Sequence, residues 1–389
     1  MKQWFRTALA GALLASSLVI SAAASDYTAC ADHLKNLGLF QGTTQGYELD
    51  RVPTRGEAAA MLVRLLGEEQ NALTLEYSAP FTDLQNWEKP YVQYLYDIGA
   101  TTGISATNFA PNAPCTAQMY AAFVLRALGY TEANGDFGYA DVDDFAQQIG
   151  LYEAAVIDTE DFLRDDVAAA SYTALSLIPK GEEQTLLEQL VEHGAVDAQT
   201  AKPYQTLFST YAQYRVATEN MLTLEQFSVR GGLEAMLSEE GKQSLTVRTE
   251  DYTTVNRVDG TAITEGNITL EASSVDAYSQ SYSMDAAEQT GDIRAALLHG
   301  YDVVPLAYVD TLNRSGSDWT FSFADLPAQY EGCLWALPQA GIVLEQAGDA
   351  VLLQTVQNGR IASQTLRVEF SQDNVELQAV LTGEMEGTR

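Results

Sequence analysis

The hydrophobic pattern in the first half of the chain repeats. Pro53-Thr54-Arg55-Gly56-Glu57 leads into an apolar run from Ala58 to Leu66, Cys115-Thr116-Ala117 into a second run ending at Leu128, and Leu163-Arg164-Asp165-Asp166 into a third ending at Leu175. Aligning the three terminal leucines gives spacings of 62 (128 − 66) and 47 (175 − 128). Periods of that size mark one supersecondary unit used three times, each copy too small to bury its own apolar face. Ahead of the second run, Phe81-Thr82-Asp83-Leu84-Gln85-Asn86-Trp87 opens a segment with Tyr91, Tyr94, Leu95 and Ile98 at helical spacing, which Gly99 should stop. A loop from Thr102 to Pro111 then leads to the second helix of the unit. The third copy has Tyr139-Ala140-Asp141-Val142 at its entry, and the first keeps only Leu37 to Gly42 and Leu49-Asp50-Arg51.

Beyond the third run, Glu182 to Val191 and Pro203 to about Met221 read as linking helices. The period then changes from helical to twofold. Residues 227–238 and 244–256 alternate, Ile268-Thr269-Leu270 continues the trend, and Asp259-Gly260 falls where a hairpin turn is expected. Val351 to Thr355, then Asn358-Gly359, then Ala362, Leu366, Val368 and Phe370 on one side of an alternation predict a tight hairpin, with Val375, Leu377, Ala379 and Leu381 as a further strand. Gly231-Gly232 inside a strand pattern reads as a bulge. The stretch is long enough for its own core. An antiparallel curved sheet with one apolar face and a few helices, including one near Ile293–Leu298, is the expected architecture.

Composition narrows the setting. Lys2 and Arg6, an apolar stretch from Ala8 to Ile20 and Ser21-Ala22-Ala23-Ala24 read as a secretory signal peptide cleaved after Ala24. Cys30 after Tyr27-Thr28-Ala29 is a poor lipidation site, and no segment reaches the length of a membrane span. With 21 basic against 53 acidic residues the net charge is −32. Such a chain binds neither nucleic acid nor an anionic surface through bulk electrostatics, and reads first as a solvated, salt-tolerant surface. Cys30, Cys115 and Cys333 are three, far apart, and imply no disulfide framework.

Phe-x-Asp, a downstream Trp, a Gly-flanked loop and Thr-Arg-x-Glu together resemble the S-layer homology domain, as three tandem copies over roughly residues 28–178. The resemblance implies an α + β multidomain chain: an all-α pseudo-trimer of three such repeats, then an antiparallel β-rich domain. The expected boundaries are a signal peptide at 1–24, repeats at 25–75, 76–135 and 136–180, a helical linker at 181–220 and the β-rich domain at 221–389. It also implies a non-catalytic surface protein that binds a secondary cell wall polymer or peptidoglycan-linked polysaccharide, at a cell wall or S-layer surface where self-association is open. The β-rich part resembles, in architecture only, the half-barrel of lipoprotein-carrier domains, so the rival expectation is a secreted carrier of a lipid or other hydrophobic ligand.

Each candidate residue has a structural and a functional reading. Thr54 and Glu57 form the pattern of a capping box, satisfying backbone donors at a helix start. Arg55 adds nothing to a cap and opposes the helix dipole, so it reads as a clamp for a carboxylate or phosphate, with free helix amides beside it. By the resemblance, that role passes to Arg55 and Arg164, while Ala117 and Met119 leave the second copy's groove in doubt. Asp83 can fix a turn through its own backbone and Trp87 can anchor the core. The family would instead set both along the polymer groove, with Asp141 as the weaker equivalent. No cofactor or metal site is expected: His33, His193 and His299 have no ligand spacing, and Cys333 with His299 lacks an oriented third partner.

Overall fold

The computed structural model describes residues 27–153, 156–223, 226–239, 242–256, 262–273, 279–285, 302–327, 330, 333–334, 337, 345–372 and 375–388. The expected signal peptide, the expected turn at Asp259-Gly260 and the expected helix near Ile293–Leu298 lie outside them. The chain divides into two compact units, residues 24–209 with 305–307, and residues 210–304 with 308–389.

The first unit is helical: α1 Thr28–Asn36, α2 Arg55–Leu65, α3 Glu69–Ala72, α4 Lys89–Asp97, α5 Ala117–Ala127, α6 Val142–Gln148, α7 Arg164–Ala174 and α8 Leu186–Glu192, with α9 Ala198–Ala217 starting here. The three repeated runs are α2, α5 and α7. Their small residues, Ala58-Ala59-Ala60, Ala121-Ala122 and Ala168-Ala169-Ala170, are all buried and let the backbones approach closely. α2 packs on both α5 and α7, and the Tyr120 hydroxyl meets Ser171 Oγ at 2.7 Å to join α5 to α7. Every residue of α7 is buried, as expected of a helix surrounded on all sides. α2 and α5 end before Gly67 (φ 71°) and Gly129 (φ 87°), glycines 62 residues apart in the left-handed conformation. Gly99 (φ 75°) stops α4 as its pattern predicts.

The linking helices are shifted from their predicted bounds. α8 starts at Leu186 because Thr185 and Glu188 form a capping box there. α9 starts five residues before Pro203, because Asp197 Oδ1 accepts from the amides of Gln199 and Thr200 and so caps it.

The second unit is one antiparallel sheet in the order β4-β3-β2-β1-β10-β9-β8-β6-β5. The strands are β1 Gln226–Glu239, β2 Lys242–Asn256, β3 Ala262–Ser273, β4 Ser279–Asp285, β5 Thr311–Ser315, β6 Asp318–Phe323, β7 Glu345–Gln346 (paired with β9), β8 Ala350–Gln357, β9 Arg360–Gln372 and β10 Val375–Thr388. Asn358 (φ 53°) and Gly359 (φ 78°) turn β8 into β9, both left-handed as a tight hairpin requires. Partners across the ladders place Phe321, Leu352, Leu366, Leu381 and Leu233 in one row, all buried. Tyr214, on α9 beyond the boundary at Thr210, lays its ring 4.9 Å from Phe321 and bonds Gln354 Oε1 at 2.6 Å. That face is a core beneath a helix. Leu366 and Val368 are buried, Arg367 and Glu369 are exposed, and Phe370 is only half-buried.

Gly231-Gly232 is not a bulge. Both glycines stay in register with Gly383 and Thr382, and the β1/β2 irregularity lies at Leu237/Ser238 instead. A Cβ on Gly232 would stand 1.9 Å from the Thr249 carbonyl oxygen, so the glycine serves a close backbone approach.

Candidate functional site

The start of α2 is built as its sequence implies. Thr54 Oγ1 accepts from Glu57 N at 3.2 Å, and Glu57 Oε2 accepts from Thr54 N at 2.9 Å. The structure adds Arg51, which sequence reasoning missed: its Nη2 and Nη1 reach Glu57 Oε1 and Oε2 at 2.6 and 2.9 Å. Burial works against ionisation of Glu57, but the Arg51 fork and the Thr54 amide outweigh it and bring its pKa down to about 2. Thr54 and Glu57 are therefore engaged as caps. A second arginine one turn before a capping box was the available signal.

Arg55 is 4% exposed. Its Nε donates to the Phe109 carbonyl at 3.0 Å, and its guanidinium lies 4.8 Å from the Phe109 ring centre and 5.2 Å from that of Phe123. The amides beside it are not free. Arg55 N donates to Ala113 O at 3.0 Å and Gly56 N to Pro111 O at 2.9 Å, so the loop of the next segment covers the helix end. This corrects the expectation of open amides: the array buries its helix starts, and a buried start must find carbonyl partners.

Arg164 repeats the arrangement. It is 3% exposed, its Nε donates to Tyr47 O at 3.0 Å, Arg164 N donates to Arg51 O and Asp165 N to Leu49 O. Tyr47, Leu49 and Arg51 stand 62 residues before Phe109, Pro111 and Ala113, and the residue after each aromatic, Glu48 (φ 53°) and Ala110 (φ 60°), is left-handed in both loops. In place of Phe123 stands Met61, whose Sδ lies 3.7 Å from Arg164 Nη1. Burial lowers the pKa of both arginines. Among the described residues neither has an ion-pair partner.

The third helix start differs. Ala117 replaces the arginine, and the buried Tyr152 hydroxyl donates to Ala117 O at 2.7 Å. Thr116 caps α5 through the Met119 amide alone.

Asp83 does not fix a turn in its own backbone. Its Oδ1 and Oδ2 accept from the amides of Phe109 and Ala110 at 3.0 and 2.8 Å, which joins it to the Arg55 site. Trp87 is not a core anchor. It is 46% exposed and meets Tyr91 edge-on at 6.5 Å. Asp141 is exposed and, among the described residues, forms no ion pair with either arginine. Among the described residues there is no cluster of metal-ligating side chains and no helix long and apolar enough to cross a membrane. Cys30, Cys115 and Cys333 are buried and form no disulfide among the described residues; burial pushes the Cys115 thiol up to about 12. His299 lies outside the described residues.

Residues 80–116, which carry Asp83, Trp87 and the Phe109 loop, match the S-layer homology domain. The chain is 25% identical over 204 residues to a cell surface protein of Thermoanaerobacter kivui, covering 50% of this chain and 24% of that one. It is 30% identical over 109 residues to the middle cell wall protein of Brevibacillus brevis, with 27% and 10% covered. An endoglucanase of a Bacillus species is 25% identical over 181 residues, with 43% and 18% covered. The chain thus spans a quarter or less of the length of these relatives. Its second helical segment matches an S-layer homology domain, and its relatives include proteins of the cell surface and the cell wall.

Proposed function

We propose that this chain is a non-catalytic cell-surface protein held to the bacterial cell wall, with Arg55 and Arg164 receiving anionic groups of a secondary wall polymer or peptidoglycan-linked polysaccharide. This reading takes residues 25–75, 76–135 and 136–180 as three S-layer homology repeats, of which the first and third bind. One observation carries it: in a chain with 53 acidic residues, two buried arginines have, among the described residues, no carboxylate within ion-pair distance. A guanidinium desolvated and left unpaired is costly, and an incoming anion relieves that cost through a forked pair of charge-assisted hydrogen bonds. Each Nε is tied to a loop carbonyl, which orients the remaining nitrogens before a ligand arrives. The rival, a carrier of hydrophobic ligands, is less favoured because the Tyr214 ring lies against Phe321 in the row that also holds Leu366.

The test is co-sedimentation of the full chain with purified wall sacculi, before and after the secondary polymer is stripped. Binding should disappear with the polymer. Arg55→Met with Arg164→Met, which keeps the buried stems, should abolish it with helicity unchanged. Each single variant should weaken it at least about tenfold, the equivalent of one charge-assisted contact. Retention of the double variant on sacculi at wild-type affinity would remove the clamp.

A further inference from the structure

The two loops that hold the arginines share a strained residue, and each is restrained by a carboxylate. A non-glycine residue in the left-handed region is uncommon and persists where its surroundings over-determine it. In the loop serving Arg164 that residue is Glu48 (φ 53°), whose own carboxylate is gripped by Arg51 at 3.3 Å. In the loop serving Arg55 it is Ala110 (φ 60°), which has no side chain to grip. There the restraint comes from Asp83. Its two oxygens take the amides of Phe109 and Ala110, the residues on either side of the Phe109 carbonyl that receives Arg55 Nε. The same Phe109 ring lies against the guanidinium.

We infer that Asp83 is a positioning residue for Arg55: by clamping the Phe109 and Ala110 amides it holds the left-handed Ala110, aims the Phe109 carbonyl at Arg55 Nε and so sets the direction of the rest of the guanidinium. The consequence for the wall rests on the reading of Arg55 as an anion clamp; the consequence for Arg55 itself does not. Asp83 acts through the loop, so its loss and the loss of Arg55 remove the same thing.

The inference is tested in two arms on 15N-labelled full-length protein. First, exchange of the Arg55 Nε proton with water is followed by NMR. It should be slow in the wild type, at least about tenfold faster in Asp83→Ala, and unchanged in Asp141→Ala. Ala110→Gly in the Asp83→Ala background should restore slow exchange in part, since glycine takes a positive φ without steric cost. If Asp83→Ala does not fold, Asp83→Asn, which keeps one accepting oxygen, is measured in its place. Unchanged Arg55 exchange when Asp83 is altered overturns the inference. Second, sacculus binding is measured for Asp83→Ala, Arg55→Met and the pair. The double variant should bind as Arg55→Met does alone; losses that add show an independent contact from Asp83 to the polymer and overturn it equally. Wild-type binding by Arg55→Met would instead sink the clamp reading, while the exchange arm still decides the role of Asp83.

Discussion

Glu57 and Asp166 stand at the same position, two residues after the arginines of α2 and α7, yet their carboxyls are pushed in opposite directions. Both accept the backbone amide at the helix start, from Thr54 and Leu163. Glu57 also has the Arg51 fork. Asp166 has only the amides of Leu163 and Asp158, and burial raises its pKa from 3.8 to about 6. The pH dependence follows with opposite signs. For Glu57 the folded value, about 2, lies below the ordinary 4.5, so its contribution is present above pH 4.5 and lost as pH falls toward 2. For Asp166 the folded state holds the proton more tightly, so its contribution is present below about pH 4 and lost as pH rises through 6. The urea midpoint of the wild type should fall between pH 4 and pH 6, and Asp166→Asn should flatten that slope. Glu57→Gln should lower stability in full above pH 4.5 and progressively less as pH falls toward 2, leaving the slope between pH 4.5 and 6 nearly unchanged. An unchanged slope in Asp166→Asn assigns the titration elsewhere.

Helix caps and strand alternation carry the next level. Thr54→Ala removes one side of a reciprocal cap and should cost about 0.5–2 kcal/mol. Thr116→Ala removes a single bond, because Met119 returns none, and should cost less by chemical denaturation. Equal losses would mean that the Glu57 half of the box contributes nothing. On β9 the burial along one face ranks the substitutions. Leu366→Ala, in the middle of the buried row, should cost about 2–5 kcal/mol. Phe370→Ala should fall below the range for a core phenylalanine because its ring is half-buried. These elements were legible in the sequence because their causes are local: Thr54 to Glu57 spans one turn, and Asn358-Gly359 needs only its own dihedrals. The contacts of Arg55 with Phe109 and of Arg164 with Tyr47 cross 54 and 117 residues. No pattern within a single helix announces them. Whether Trp87 belongs to the core is likewise not a local matter: it stands 46% exposed, against the core-anchor alternative.

The whole chain adds its charge. At −32 it would repel an anionic polymer of the kind proposed over distances longer than any contact, while the two buried arginines would act only on arrival. Salt screens the long-range term first, with a Debye length of about 10 Å at 0.1 M, and buried contacts much less. The association rate with the anionic wall polymer should therefore rise as salt is raised from low ionic strength, opposite to the behaviour of a basic wall-binding protein. Surface-immobilised polymer and a salt series give that rate directly, and a rate that falls with salt would show that local cations steer the encounter.

The sequence by itself determined the starts of α2, α5 and α7, the three repeated runs, the change of period near residue 226, the β8/β9 hairpin and the preference for an arginine where a helix dipole disfavours one. Each depends on neighbours within a turn or on the alternation of a single strand. Only the tertiary structure decided that the amides beside Arg55 and Arg164 are already taken, that Arg51 closes on Glu57, that Gly232 admits a neighbouring strand and that Asp83 reaches 26 residues forward to the loop. Those are matters of which segments meet once the apolar faces are buried. A buried donor accepts whatever carbonyl or carboxylate the packing brings within reach.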